Sequence, residues 1–312
     1  MKLKNILWAF ALLTLIGCSK DDSGTEPTPT PTPPPTPVPE NTLQKYAKDD
    51  EIKVMSFNIR LQTTEENYLN AWPYRKDAVI ELISDHKPTV IGFQEAKYSS
   101  QWLLLKTALE EDYDGWGVDR DNGAENPKDG ETMGILYDKK KVKKLDGGTF
   151  WLSTTPDKVS KSWNSACNRT ATWGIFEHIS TGEKFCYINT HLDHKSAEAQ
   201  KEGLKLIIEK FKEYNPEGYP QFLTGDFNIK IGDAKLDILK GYMDDTRLVA
   251  PEGKTDNDRT YNNWSATGGS IIDYVYCTTG MEVVEYHTVD ERYASSEYVS
   301  DHYPVYAIIK MK

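Results

Sequence analysis

Asn58, the pair Gln94-Glu95, the run Asn189 to His194, Asp226 with Asn228, and Asp273 are the residues of this chain whose types and placement could do chemistry. Carboxylate and amide oxygens are ligands of the kind that Mg2+ takes, usually beside several retained waters. An imidazole with an unperturbed pKa of about 6.5 can serve as base or as cation near neutral pH. Taken singly, each cluster also reads as a turn former or a cap, and Gly225-Asp226-Phe227-Asn228 alone has a turn's composition. Their placement makes that reading strained, because each lies in or directly after a run with strand character.

Strands are predicted over Ile52 to Ile59, Val90 to Phe93, Met133 to Tyr137, Trp173 to His178, Lys184 to Asn189, Gln221 to Leu223, Ile271 to Cys277, Met281 to Thr288 and Val305 to Ile309. Between them fall helical patterns. Trp72 to Ile83 has Pro73 at its start, Ala78, Val79, Leu82 and Ile83 on one face, and Pro88 beyond its end. Ser100 to Leu109 is a second helix and Ser196 to Tyr214 the longest. Strands alternating with helices argue for an α/β domain. In such sheets ligands bind beyond the strand ends, where side chains distant in sequence converge on rigid supports. The polar clusters therefore predict one site.

In order and spacing, Ser56-Phe57-Asn58-Ile59-Arg60, Gly92-Phe93-Gln94-Glu95, Asn189-Thr190-His191-Leu192, Gly225-Asp226-Phe227-Asn228, Ile272-Asp273-Tyr274 and Ser300-Asp301-His302-Tyr303-Pro304-Val305 resemble the endonuclease/exonuclease/phosphatase superfamily. The resemblance implies a four-layer α/β sandwich, with two mixed β-sheets packed face to face and helices outside. It also implies a phosphoesterase dependent on Mg2+, with Mn2+ as the alternative. Hydrolysing a phosphate ester needs a hard cation, donors for developing negative charge and an aligned water. By the resemblance, Asn58 and Glu95 hold the metal, and Asp301 supports that ion or holds a second. Asp226 and Asn228 hold the attacking water and a phosphate oxygen, with Asp226 orienting or deprotonating the water. His302, oriented by Asp273, is either base or cationic clamp, and His191 donates to a phosphate oxygen. Asn189 supports its loop.

Arg169, just before a strand, is a candidate phosphate contact through its planar fork, with a surface ion pair as the competing reading. Arg75 reads as structural, and Tyr98, His194 and Trp264 as residues that shape the pocket. The branches that act at abasic sites in DNA carry an acidic residue where this chain has Arg60, which argues against that activity. Asn189-Thr190-His191-Leu192 is similar instead to the deadenylase, inositol-phosphatase and sphingomyelinase branches. Asp119 to Glu131 and Thr246 to Gly269, long, polar and Gly-rich, are the candidate specificity loops.

The first residues belong to export rather than fold: Lys2 and Lys4 precede an apolar run from Ile6 to Ile16, and Leu15-Ile16-Gly17-Cys18 resembles the bacterial lipobox. An outer-membrane lipoprotein with lipid on Cys18, facing the periplasm or the cell surface, is expected. A Thr/Pro-rich tether spans residues 19–48 and the catalytic domain residues 49–312, expected as a monomer. Cys167, Cys186 and Cys277 show no paired CxxC spacing, so zinc is not indicated and buried free thiols are expected. A net charge of -11 lacks the cationic excess that draws proteins to nucleic acid, which disfavours that partner without excluding it. The expected substrates are small phosphorylated molecules, glycan phosphates or lipid head groups. A secreted surface nuclease and a non-catalytic glycan-binding lipoprotein are the competing readings.

Overall fold

The computed structural model describes residues 43–124, 130–256, 259–294 and 296–311. The export run, Cys18 and the tether through residue 42 lie outside the described residues, as do parts of both specificity loops. A compact unit spans Asn41–Lys312. Its strands are β1 (Glu51–Asn58), β2 (Val90–Gln94), β3 (Ala96–Lys97), β4 (Tyr113–Trp116), β5 (Glu131–Thr132), β6 (Ile135–Asp138), β7 (Val142–Trp151), β8 (Thr170–His178), β9 (Lys184–His191), β10 (Gln221–Asp226), β11 (Met243–Asp245), β12 (Asp273–Thr278), β13 (Val283–Thr288) and β14 (Val305–Lys310). The helices are α1 (Trp72–His86), α2 (Leu103–Ala108), α3 (Ala197–Tyr214) and the single turn α4 (Thr246–Val249).

Two six-stranded mixed sheets form, in the orders β13-β14-β1-β2-β6-β4 and β11-β12-β10-β9-β8-β7, with β3 and β5 as a small separate pair. Each large sheet has one parallel pair, β1 with β2 and β9 with β10. Three apolar clusters fill three interlayer spaces. Met55, Phe57, Ile91 and Phe93 pack with Ala78, Val79, Leu82 and Ile83 of α1. Cys186, Ile188 and Leu223 pack with Leu204, Ile207 and Phe211 of α3. Ile52, Val54 and Val90 meet Phe185, Tyr187, Phe222 and Val275 between the sheets. The four layers expected from the resemblance are those that form.

Side chains alternate faces along a strand, so the residues facing the other sheet can be read two apart. In β1 they run Ile52, Val54, Ser56, Asn58; in β9 Phe185, Tyr187, Asn189, His191; in β10 Phe222, Thr224, Asp226; and in the antiparallel β12 Cys277, Val275, Asp273. Every series starts apolar and ends polar. Register aligns those ends, with Asn58 beside Gln94, Asp226 beside His191, and Asp226 beside Asp273. One end of the inter-sheet space is thus core and the other is a site.

Asn189 ties the sheets together below that site. Its amide donates to Phe93 O at 2.9 Å, and its Oδ1 accepts from Gln94 Nε2 at 2.6 Å and Thr224 Oγ1 at 3.1 Å. Gly92 makes room for it, since a Cβ there would lie 2.3 Å from Asn189 Cγ. Arg75, wholly buried, straps the far side by donating to Asn70 O, Ile59 O and Val299 O.

Three findings differ from the sequence reading. Strands β3, β4, β5, β7 and β11 lie outside the predicted runs; β3, β5 and β11 are two or three residues long, β4 four, and β7, of sequence VKKLDGGTFW, is an edge strand whose outer part faces solvent and needs no apolar pattern. The expected Ser100 to Leu109 helix is a wide turn over Tyr98–Trp102 followed by the shorter α2; that turn brings Tyr98, Gln101 and Trp102 all inward. Cys186 and Cys277 are buried free thiols, but Cys167 is only half-buried, because its loop borders the cleft rather than the core.

Candidate active site

At the polar end, strands β1, β2 and β10 stop abruptly. Arg60, Glu95 and Asn228 follow within two residues of the strand ends and take left-handed backbone, with φ of 55°, 60° and 51°. Such conformations cost side-chain-bearing residues about 1–3 kcal/mol each and persist where the surroundings enforce them. Here Arg60 N donates to Asn58 Oδ1 at 3.0 Å, Leu61 N to Glu95 Oε2 at 3.1 Å and Asn228 N to Asp226 Oδ1 at 2.9 Å. Backbone amides thereby orient an amide and two carboxylates toward one cleft.

Asn58 Nδ2 bridges those carboxylates, 3.0 Å from both Glu95 Oε1 and Asp226 Oδ2. His191 Nε2 lies 3.3 Å from Asp226 Oδ2 and 3.0 Å from Asn228 Nδ2. On the other flank His302 Nε2 is 3.8 Å from Asp226 Oδ2, and its Nδ1 is 2.8 Å from Asp273 Oδ2. Thr260 Oγ1 donates to that same Asp273 oxygen at 2.6 Å, fixing the carboxylate that holds the imidazole. Asp301 lines the cleft with Arg60 Nη1 at 3.7 Å. Arg169 points in from the start of β8: Nη2 meets His194 Nδ1 at 2.9 Å and Nε lies 3.7 Å from Asp193 Oδ2. Arg169 Nη1 and His191 Nδ1 are buried without a hydrogen-bond partner among the described residues.

Asp226 is pushed up to about 7, by burial first and then by the charges of Asp273 and Glu95. Burial pulls His302 down, but Asp273, Asp226 and Asp301 outweigh it and hold the imidazole up to about 10. Burial raises Glu95, yet the Asn58 amide, the His302 charge and the Leu61 N–H bring it below the usual carboxylate range. His191 falls well below its ordinary value through burial and the guanidinium groups of Arg169 and Arg120, so it is neutral. Burial and the Glu95 charge raise Asp301. Two neighbouring imidazoles thus carry opposite states, a proton donor with full charge and a neutral ring.

Ligand atoms of Glu95, His191 and Asp226 lie within 4.8 Å of one another. No Lys or Arg makes an ion pair with Glu95 or Asp226 among the described residues. Converging carboxylate oxygens whose one cationic neighbour among those residues is the His302 imidazolium, 3.8 Å from Asp226 Oδ2, suit a hard divalent cation. Asn58 currently turns its NH2 toward them and its oxygen toward Arg60 N, so ligation through that oxygen requires the amide to turn over.

The cleft, about 550 Å3, brings together Glu95, His191, Asp226, Asn228, Asp301, His302 and Arg169, with Asp273 and Asn58 directly behind. His194 lines it, whereas Tyr98 is buried in the core and Trp264 stacks over Arg75 at 5.1 Å. Arg60, Arg120, Glu131 and Tyr261 also line the cleft without having been singled out for it. Three of these lie in or bound the two specificity loops, a signal of region but not of residue.

An α/β sandwich with converging carboxylates, amides and imidazoles at paired strand ends defines a phosphoesterase-type centre. Residues 55–302 match the Endonuclease/Exonuclease/phosphatase family, and the chain belongs to it. Members of this superfamily hydrolyse phosphate esters and generally depend on a divalent metal. A family protein from Bacteroides vulgatus is 33% identical, with a TM-score of 0.76 over 84% of this chain and 99% of its own. Another from Bacteroides thetaiotaomicron is 28% identical, with a TM-score of 0.76 over 84% and 98%. A mannosyl-6-phosphatase of Bacteroides thetaiotaomicron is 29% identical, with a TM-score of 0.75 over 82% and 98%.

Proposed function

We propose that this chain is a Mg2+-dependent phosphoesterase acting outside the cytoplasm on small phosphate esters, glycan phosphates or lipid head groups, held to a membrane by lipid on Cys18. The observation that carries the reading is the meeting, on one cleft floor, of Glu95 and Asp226 with the carboxylate-clamped His302 and the buried, unpartnered nitrogens Arg169 Nη1 and His191 Nδ1. Similarity to a mannosyl-6-phosphatase supports a phosphorylated glycan among the candidate substrates. The charge of -11 and the export run support a substrate other than chromosomal nucleic acid.

A divalent cation, when bound, polarises the phosphoryl oxygens and lowers the pKa of coordinated water. Glu95 with Asn58 would hold it, and Asp301 would support it. Asp226 and Asn228 would position the attacking water, with Asp226 taking its proton. His302, fully charged near neutral pH, would act as a cationic clamp on the phosphoryl group. Arg169 and His191 would donate to the remaining oxygens, where charge-assisted bonds are strongest.

Hydrolysis of a model phosphate monoester and diester by the full chain, with and without Mg2+ or Mn2+ and beside Glu95→Ala, tests this. Metal-dependent turnover that the substitution abolishes is expected. A metal-loaded chain that cuts DNA or RNA while ignoring small esters would sink the substrate class. Turnover unaffected by chelation would sink the metal.

A further inference from the structure

Arg120 and Glu131 form a wall of the cleft that the chemistry above leaves unused. Glu131 lies on β5, which pairs with β3 immediately after Glu95, and Arg120 N donates to Glu131 O at 3.0 Å. The two side chains meet as a parallel fork, Nη2 to Oε1 at 2.6 Å and Nη1 to Oε2 at 2.7 Å. They are 12% and 13% exposed. Arg120 Nε, also buried, has no hydrogen-bond partner among the described residues. Trp151 Nε1 donates to Arg120 O at 2.7 Å and fixes the backbone from which the fork projects.

A fork of this kind cancels its own charge, so it is no second phosphate site. It still presents fixed acceptors and donors side by side, because carboxylate oxygens and guanidinium N–H groups each hold more hydrogen bonds than the pair consumes. A hydroxyl both donates and accepts, and two neighbouring hydroxyls on a carbon skeleton match an acceptor next to a donor. We propose that Arg120 and Glu131 bind adjacent hydroxyls of the leaving group and select polyol phosphates, such as hexose phosphates, over esters that lack hydroxyls. The proposal rests on the phosphoesterase reading and names its substrate class. Glu131 is the specificity-determining acceptor and Arg120 the donor that holds it in place.

The test measures affinity rather than turnover. In the full chain carrying Asp226→Asn, with Mg2+ present, calorimetry compares a hexose 6-phosphate with methyl phosphate. The hexose phosphate is expected to bind at least about ten-fold more tightly, the scale of one or two charge-assisted hydrogen bonds. Glu131→Gln should erase that difference without weakening methyl phosphate binding, since the Arg120 charge it leaves uncancelled favours the anion. Equal binding of both ligands by the parent, equal loss of both in Glu131→Gln, or tighter binding of a 2′,3′-dideoxynucleoside 5′-phosphate, which lacks adjacent hydroxyls, would each overturn the assignment. Should Glu131→Gln unfold, Arg120→Gln with Glu131→Gln retains a neutral amide pair and is read the same way. The chain with Asp226 intact, assayed for hydrolysis of the same esters, keeps the two ideas apart: affinity discrimination without turnover would sink the phosphoesterase reading alone, and turnover without discrimination would sink the polyol assignment alone.

Discussion

Asp226 receives hydrogen bonds from Asn58 and Asn228 and faces two imidazoles, yet burial beside Asp273 and Glu95 pushes it up to about 7. A carboxylate raised this way destabilises the fold wherever it is ionised, since the folded state binds the proton more tightly than the unfolded chain. Asp226→Asn is therefore expected to cut kcat/KM by about a thousand-fold or more while leaving the metal-free melting temperature unchanged or higher. A variant that loses both would show Asp226 to be structural. His302 gives the opposite sign. Its charge, held up to about 10 chiefly against burial by Asp273, is retained to alkaline pH and lost only as pH rises through that value. Replacing Asp273 with Asn removes the main support, and the alkaline limb of kcat/KM should move at least about one pH unit downward. An unmoved limb would mean that another group sets it.

The elements place these residues by a simple rule, the period of two along a strand, applied in β1, β9, β10 and β12 at once. The rule works only while the sheets stay at a fixed spacing and register, which the Asn189 bridge under Gly92 maintains. Adding a methyl group at Gly92 would press on Asn189 Cγ and Tyr187 OH, both in a closely packed interior. Gly92→Ala should cost about 1–3 kcal/mol in denaturant unfolding and lower activity without altering any residue of the cleft. Wild-type stability would show that the bridge is slack. In α3 local logic suffices: Ser196 caps Ala199 N at 3.1 Å, and Leu204, Ile207 and Phe211 fall on the buried face.

For the whole molecule, the segment from Leu43 to Lys48 belongs with the fold, because it covers a buried charge. Lys53, fully buried in β1, donates to Lys45 O at 2.7 Å and His86 O at 3.1 Å, its ammonium sits 3.6 Å over Tyr306, and burial lowers its pKa to about 7. Lys45 also pairs with Asp85, and Gln44 binds Glu51 and Glu285. A chain beginning at Asp49 should be about 2–3 kcal/mol less stable to urea than one beginning at Asn41. Equal stability would leave the segment a passive end of the tether. No helix among the described residues is long and apolar enough to cross a membrane.

The order of the six motifs was legible in the sequence through their resemblance to the superfamily, and that resemblance carried the four-layer fold, where alternation alone gave only an α/β domain. Asn58, Glu95, Asp226 and His302 could be named by the same resemblance, the first three also because they close or directly follow strands. β7 could not, since an edge strand with a solvated outer part has no pattern to show. Nor could the roles of Arg120 and Glu131, ordinary loop charges until β5 pairs beside Glu95. The opposite protonation states of His191 and His302 were likewise beyond sequence: identical side chains, one lowered by burial and then by the nearby Arg169 and Arg120 charges, the other held up against burial by Asp273, Asp226 and Asp301. Local periodicity determines which face a residue takes. Only the packing of segments far apart in the chain decides what that face meets, and with it the charge, the clamp and the wall of the cleft.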